Sequence, residues 1–423
     1  MSAPPRRGTV HPVASNADDV SEAARAEFPS FPSPRARSCP FDPSPELRMI
    51  QERAPIARVQ IWDGSTPWLV SGYEEVRALL RDPRLSAVPE HPNYPHSTPS
   101  KFMQRLGFLT MDAPEHTRQR RFVAKPFSAK RIQAMRPAIQ ELVEDLIDRL
   151  LVGPKPADLL EAFSLPVPCA VICHLLGVPY EDHRFFSTSA RALINPRATH
   201  EEAMAARQGL VDYIDRLLTL KRTDPGEDML SELANEHVAT GNLTQHEATQ
   251  TGMLMLLGGF DTTSNTISLG VLALTENRDQ VDALLEMETQ VEIEGAVEEL
   301  LRYTAVPQGG RRRVALEDIE INGILIRAGD GLIVAGDLAN RDASVIEEPD
   351  RLDLRRPVHR HVTFGHGPHQ CLGMPLARLE LQVAIPTLLR RIPTLRRAVA
   401  MDQITFREPA MGVYGVNALP VTW

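Results

Sequence analysis

Residues 251–274, TGMLMLLGGFDTTSNTISLGVLAL, constrain the fold of this 423-residue chain more than any other segment. They are apolar on every side, yet Gly258-Gly259, Asp261 and several hydroxyls interrupt them. A membrane span needs roughly 18 or more uninterrupted apolar residues, so this is a poor span and a good buried helix. A helix that is apolar all round sits in a core, and other elements must wrap around it. Helical periodicity dominates residues 115–302, with start signals such as the Thr-x-x-Glu box at Thr199.

The β signals are short and peripheral. Residues 56–70 read as a hairpin around Asp63-Gly64, and the following YEEVRALLRD has helical spacing. The Pro-rich residues 86–100 read as a loop. A second β region, DIEINGILIRAGDGLIVAG, turns at Asn322-Gly323, and MGVYGVNALPVTW gives the last β signal. Neither an internal repeat nor a Gly/Ser linker divides the chain. The expected fold is mainly α with small β-sheets packed at one side. A single domain over residues 31–423 is expected to follow a mobile N-terminal tail, residues 1–30, rich in Pro, Ser and Ala.

A composition of 43% hydrophobic and 24% charged residues is that of a globular protein. The net charge of −9 argues against a nucleic-acid binder, local basic patches aside. Four cysteines, Cys39, Cys169, Cys173 and Cys371, are too few for a disulfide scaffold and fit a reducing compartment. The N-terminus has no apolar core of signal-peptide length. The expectation is a cytoplasmic, soluble monomer without membrane or nucleic-acid partners. Cys169, Cys173 and His174 suggest a metal cluster, but their spacing is equally that of a core helix face.

Residues 364–373 read FGHGPHQCLG. Gly365, Gly367 and Gly373 bracket Cys371, and an amphipathic helix follows. A metal held by one thiolate needs backbone that can curve close beneath it, which glycine permits. A helix N-terminus also favours thiolate over thiol. A lone cysteine before a helix is more often a core residue, and His361, His366 and His369 with Cys371 offer a zinc set. The zinc set explains neither Phe364 nor the glycines.

Every fixed position of F-G-x-G-x-x-x-C-x-G is met by Phe364, Gly365, Gly367, Cys371 and Gly373. On these residues the chain resembles the cytochrome P450 family. The resemblance implies that fold, with haem b between a long central helix and the cysteine loop, and Cys371 as the axial ligand of the iron. Thiolate ligation favours O–O cleavage. Two further motifs agree. Gly258-Gly259-Phe260-Asp261-Thr262-Thr263 resembles the family's [AG]-G-x-[DE]-T-[TS], where the backbone bulges to admit dioxygen. Asp261 and Thr262 would then manage protons at the distal oxygen. Read alone, the same residues fit a kinked helix whose Thr hydroxyls bond back to the preceding turn. Glu299 and Arg302 match the E-x-x-R brace, with Arg351 as the implied third partner. Read alone they are a surface pair.

The resemblance also implies His116, Arg120, Arg313 and His369 as contacts of the haem propionates. Arg311 and Arg312 stand close enough in sequence to replace Arg313. Electrons would come from NAD(P)H through ferredoxin reductase and an acidic ferredoxin. That partner would dock near Arg118, Arg121, Lys125, Lys130, Arg131, Arg355, Arg356 and Arg360. Five segments should line the distal pocket: 86–109, 187–206, 256–259, 305–310 and 408–414. They contribute Val88, Phe102, Met103, Leu106, Leu109, Leu193, Ile194, Leu256, Val306, Met411 and Val413. Gly309, Gly310 and Gly412 would leave room for a large ligand. The expected reaction is insertion of one atom of O2 into a bulky lipophilic secondary metabolite, by hydroxylation or epoxidation. The substrate class is a polyketide, macrolide or terpenoid. The rivals are a broad xenobiotic oxidiser, a nitric-oxide reductase or peroxygenase of the same fold, a haem-based gas sensor, and a non-catalytic haem-binding partner of another enzyme.

Overall fold

A computed structural model of the protein describes residues 28–97, 106–194, 198–357 and 361–423. The helices of ten or more residues run α1 Glu115–Ala124, α2 Arg136–Val152, α3 Pro166–Leu176, α4 His183–Ile194, α5 His200–Thr223, α6 Gln245–Glu276, α7 Gln290–Thr304 and α8 Met374–Arg391. The segment read as a buried helix lies within α6, 32 residues long. Thr244 and Glu247 close a reciprocal capping box at its start. From there α6 runs through the centre, packed against α3, α5, α7 and α8. One crossing explains a glycine: a Cβ on Gly259 would lie 2.5 Å from Cγ1 of Ile172 in α3. Close helix packing therefore accounts for Gly259.

Short strands flank this helical body. β1 (Ile56–Arg58), β2 (Trp68–Val70), β3 (Leu85–Ser86), β5 (Arg311–Ala315) and β8 (Gly331–Val334) form one sheet in the order β1-β2-β8-β5-β3. The expected first hairpin pairs Ile56 with Val70. β4 (Ala157–Asp158), β10 (Pro420–Thr422) and β9 (Arg396–Arg397) make a second sheet. β6 (Ile319–Ile321) and β7 (Ile324–Ile326) form the hairpin expected at Asn322-Gly323, where both turn residues have positive φ, 50° and 75°. The chain is thus mainly α with small β-sheets. Most of the tail expected over residues 1–30 lies outside the described residues. Pro29 and Ser30 belong to the fold, since Pro29 accepts a hydrogen bond from the Gln60 N–H and Ser30 bridges to Gln60. Among the described residues, no helix is long and apolar enough to cross a membrane.

Candidate active site

The loop before α8 folds under the control of its glycines. Gly367 has φ 73°, and a Cβ there would meet the Leu80 carbonyl oxygen at 2.5 Å. Only glycine allows this approach. The loop closes on itself where the Cys371 N–H donates to the Phe364 carbonyl at 2.8 Å. Cys371 then opens onto a cavity of about 290 Å³ that lies between this loop and α6. Gly258, Gly259, Thr262 and Thr266 form the opposite wall, with Leu254 and Met255 beside them. Burial pushes the Cys371 thiol up, while the N–H groups of Gly373 and Met374 and the charges of Arg311 and Arg120 pull it down.

One rim of the cavity carries cations and imidazoles. The His116 and His369 rings lie against each other, tilted by 40°, with centroids 4.1 Å apart. Arg120 borders the cavity and donates Nη2 to the Gln370 carbonyl at 2.5 Å. Alternation along β5 places Arg311 and Arg313 on one face. Arg311 lines the cavity and donates to the Thr363 carbonyl at 3.0 Å. Arg313 is buried and acts electrostatically on His116 and His369. Burial first, then Arg313, His116 and Arg120, push the His369 imidazole down to about 3. Burial and Arg120 likewise lower His116, whose Nε2 has no hydrogen-bond partner among the described residues. No carboxylate is hydrogen-bonded to Arg120, Arg313, His116 or His369 among the described residues.

On the facing wall α6 continues as α-helix through residues 258–263, without the bulge the resemblance implied. The Thr262 hydroxyl donates back to the Gly258 carbonyl at 3.0 Å, as the kinked-helix reading expected of its threonines. Asp261 does not border the cavity. Its carboxylate receives both terminal nitrogens of Arg407 at 2.8 Å each and Asn265 Nδ2 at 3.3 Å, and acid and guanidinium are both buried.

A family model for cytochrome P450 matches residues 49–395. The cytochrome P450 GfsF of Streptomyces halstedii is 47% identical over 402 residues, 94% of this chain and 97% of that protein. The chain belongs to the cytochrome P450 family. The crystal structure of GfsF superposes with a TM-score of 0.88, covering 93% of this chain and all of that one. A second solved relative is the mycinamicin VIII C21 methyl hydroxylase MycCI of Micromonospora griseorubida, bound to mycinamicin VIII. It shares 37% identity and a TM-score of 0.87, covering 94% of this chain and 100% of that one. The 20-oxo-5-O-mycaminosyltylactone 23-monooxygenase of Streptomyces fradiae is 38% identical over 99% of this chain and 98% of its own length. The protein is a cytochrome P450 monooxygenase, and relatives in this set hydroxylate secondary metabolites.

The P450 fold implies haem, and the residues present fit it. Arg120, Arg311 and His369 line the cavity, whereas His116 and Arg313 are not among its lining residues and act on His369 through ring contact and charge. Together they make a cationic and imidazole set suited to two propionates. His116 Nε2 is a buried nitrogen without a partner among the described residues that such a group could satisfy. Metal coordination would convert the Cys371 thiol to thiolate outright. The zinc alternative has no geometric support: among the described residues no His/Cys/Asp/Glu cluster can hold a metal ion. Cys169 and Cys173 are core residues of α3.

Several expectations for this P450 are corrected. The third partner of the brace is Arg356, not Arg351. Arg302 donates to Glu299 at 2.7 and 2.8 Å, and Arg356 Nε donates to Glu299 at 3.2 Å. Arg351 instead pairs with exposed Glu348 and lends only its carbonyl to the network. Leu256, expected in the pocket, is fully buried and does not line the cavity; Leu254 and Met255 do. The helical period places residues 255, 258, 259, 262 and 266 on one face. Val306 is likewise buried and Pro307 takes its place, whereas Leu109 lines the cavity as expected. Leu106 and Leu193 are buried core residues. Val88, Met411 and Val413 are not among the lining residues. Phe102, Met103 and Arg360, and the side chain of Ile194, lie outside the described residues. Gly310 gives no room to a ligand, since a Cβ there would meet Ile333 Cγ2 at 2.5 Å; Gly309 and Gly412 do not line the cavity either. Sequence reasoning missed Arg407, and it missed Glu380 of α8. Glu380 borders the cavity, fully buried, with its Oε2 unpartnered among the described residues, and burial pushes its carboxyl well up.

Proposed function

We propose that this P450 hydroxylates, or secondarily epoxidises, a bulky lipophilic secondary metabolite of the polyketide, macrolide or terpenoid kind. Cys371 serves as the iron ligand, and Arg120, Arg313, His116 and His369 hold the propionates. Bound haem supplies the activation of O2. Thr262, on the cavity wall, holds a proton at its Oγ1 for the reacting oxygen, and Asp261 supports the exchange of protons behind it. Electrons reach the site from NAD(P)H through ferredoxin reductase and ferredoxin, in the cytoplasm.

One observation carries this reading: Cys371 faces Gly258 and Thr262 across one cavity whose lining away from the cysteine loop is largely apolar, with Phe108, Leu109, Leu254, Met255 and Pro307. The arginines that border it, Arg120 and Arg311, cluster towards the cysteine loop beside the uncharged His369. The one acid on its lining among the described residues, Glu380 of α8, has its carboxyl pushed well up by burial. A wall without a fixed ion partner favours an uncharged ligand, because an unpaired buried charge is expensive. Relatives named for oxidising 20-oxo-5-O-mycaminosyltylactone and mycinamicin VIII support the bulky secondary-metabolite class. The test is a titration of the purified protein with macrolides, polyketides and terpenoids, following the low-to-high-spin change of the iron. Saturable shifts by such compounds are expected. Shifts produced only by small polar or strongly anionic ligands would overturn the reading.

A further inference from the structure

Two adjacent acids of α7 have separate tasks. Glu299 holds the brace. Glu298 instead receives Arg378 of α8, with Nε on Oε1 at 2.7 Å and Nη2 on Oε2 at 2.5 Å, and has His361 Nε2 at 3.1 Å from Oε2. His361 Nδ1 accepts the Thr363 N–H at 3.2 Å, so the network assigns the proton to Nε2, which donates to Glu298. The Arg378 guanidinium lies over the ring of Phe364, 5.1 Å from its centroid, and the His361 ring is 5.9 Å from the same ring. Phe364 is the residue whose carbonyl takes the N–H of Cys371. Burial alone would raise the Glu298 carboxyl, but the hydrogen bonds from His361 and Arg378 outweigh it and hold it at about 2. Glu298 is therefore ionised, and Arg378 meets it as a bidentate, charge-compensated pair.

We propose that Glu298 is a positioning residue for the iron centre: it fixes Arg378 on the aromatic ring of the cysteine loop and offsets its charge, and so sets the reduction potential at Cys371. The proposal rests on Cys371 being the iron ligand. Its physics is electrostatic. Reduction adds one electron, and hence one negative charge, to the iron centre. A nearby cation favours the reduced state and a nearby anion disfavours it, most strongly where water is scarce. The pair as a whole is close to neutral, so removing either member unmasks the other. His361 is 2% exposed, Glu298 16% and Arg378 31%, so screening by solvent is partial.

The experiment is a spectroelectrochemical titration of the substrate-free holoenzyme with dithionite, comparing wild type with Glu298→Gln, Arg378→Gln and Arg378→Lys. Glu298→Gln should raise the potential and Arg378→Gln should lower it. Each should change the ferrous-to-ferric ratio at fixed solution potential by about threefold, or about 28 mV at 59 mV per tenfold for one electron. Arg378→Lys keeps the charge and should shift less than Arg378→Gln. A purely structural brace would move both neutral variants in the same direction or leave the potential alone, and either result would overturn the proposal. If Glu298→Gln fails to retain haem, the contrast between Arg378→Gln and Arg378→Lys decides alone. The ferrous–CO spectrum of the wild type checks thiolate ligation separately. A thiolate band with no opposed shifts removes only this proposal, whereas its absence removes the haem-thiolate reading itself.

Discussion

At the scale of single residues, the site depends on pairs that no local pattern reveals. Asp261 was legible as an acid in an apolar helix, but its partner Arg407 lies 146 residues away, and nothing in the sequence near either one points to the other. The pair is buried on both sides, 5% and 9% exposed. Replacing Asp261 with Asn therefore leaves a guanidinium in the core without its counter-charge, which costs about 3–5 kcal/mol. Thr262→Ala removes only a back-bond to the Gly258 carbonyl and should cost about 1 kcal/mol. Denaturant unfolding of the holoproteins checks the order; equal losses would contradict the account of Asp261. Function should separate the two differently. Thr262→Ala is expected to bind substrate and accept electrons normally but to divert them to peroxide or water. Unchanged coupling of product to NAD(P)H would refute the role given to Thr262. The glycine pair shows the limits of reading residue types: Gly259 is explained by Ile172, while Gly258 meets nothing within 4 Å and borders the cavity.

At the scale of elements, hydrophobic period and turn chemistry carried most of the reading. The central helix, the capping box at Thr199 and both hairpins lie where the sequence placed them. The brace was found in part. Glu299 and Arg302 share a helix turn and are visible together, whereas Arg356 reaches Glu299 only through the fold of a loop. The basic surface expected to receive a ferredoxin narrows once the ion-pair partners of its residues are seen. Arg118 pairs with Glu115 and Glu247, Arg131 and Lys125 with Glu232, Arg355 with Glu286, and Arg356 belongs to the brace. Lys130 is exposed, and Arg121 lies over Phe122. Reduction by an acidic ferredoxin should slow as salt rises. In stopped-flow reduction at low salt, Lys130→Glu should slow transfer more than Arg355→Glu; the reverse order would remove this surface. The Glu298 pair gives a pH signature. Its carboxyl is held at about 2 against an ordinary 4.5, so the folded state resists its protonation. The stability that Glu298 contributes is complete above about pH 4.5 and is lost as pH falls towards 2. The gap in stability between wild type and Glu298→Gln should close across that window; a constant gap would contradict the assignment of charge.

At the scale of the whole molecule, one buried helix, one cysteine loop and a rim of cations meet at one cavity whose lining runs in sequence from Phe108 to Leu381. The family's motifs made the two walls legible, because each is a short contiguous pattern with a physical reason for its residue types. The distal lining was less legible, since it depends on which face of each helix turns inward. Leu256 and Val306 face the core while Met255 and Pro307 face the cavity. The haem-thiolate chemistry depends on the sulfur of Cys371. The direct measurement is the ferrous–CO absorption spectrum of wild type and Cys371→Ala, each shown to be folded by far-UV circular dichroism. The account predicts a thiolate-type band in the wild type that is lost in Cys371→Ala. A histidine-type band in the folded wild type, or a thiolate-type band that survives in Cys371→Ala, would contradict it.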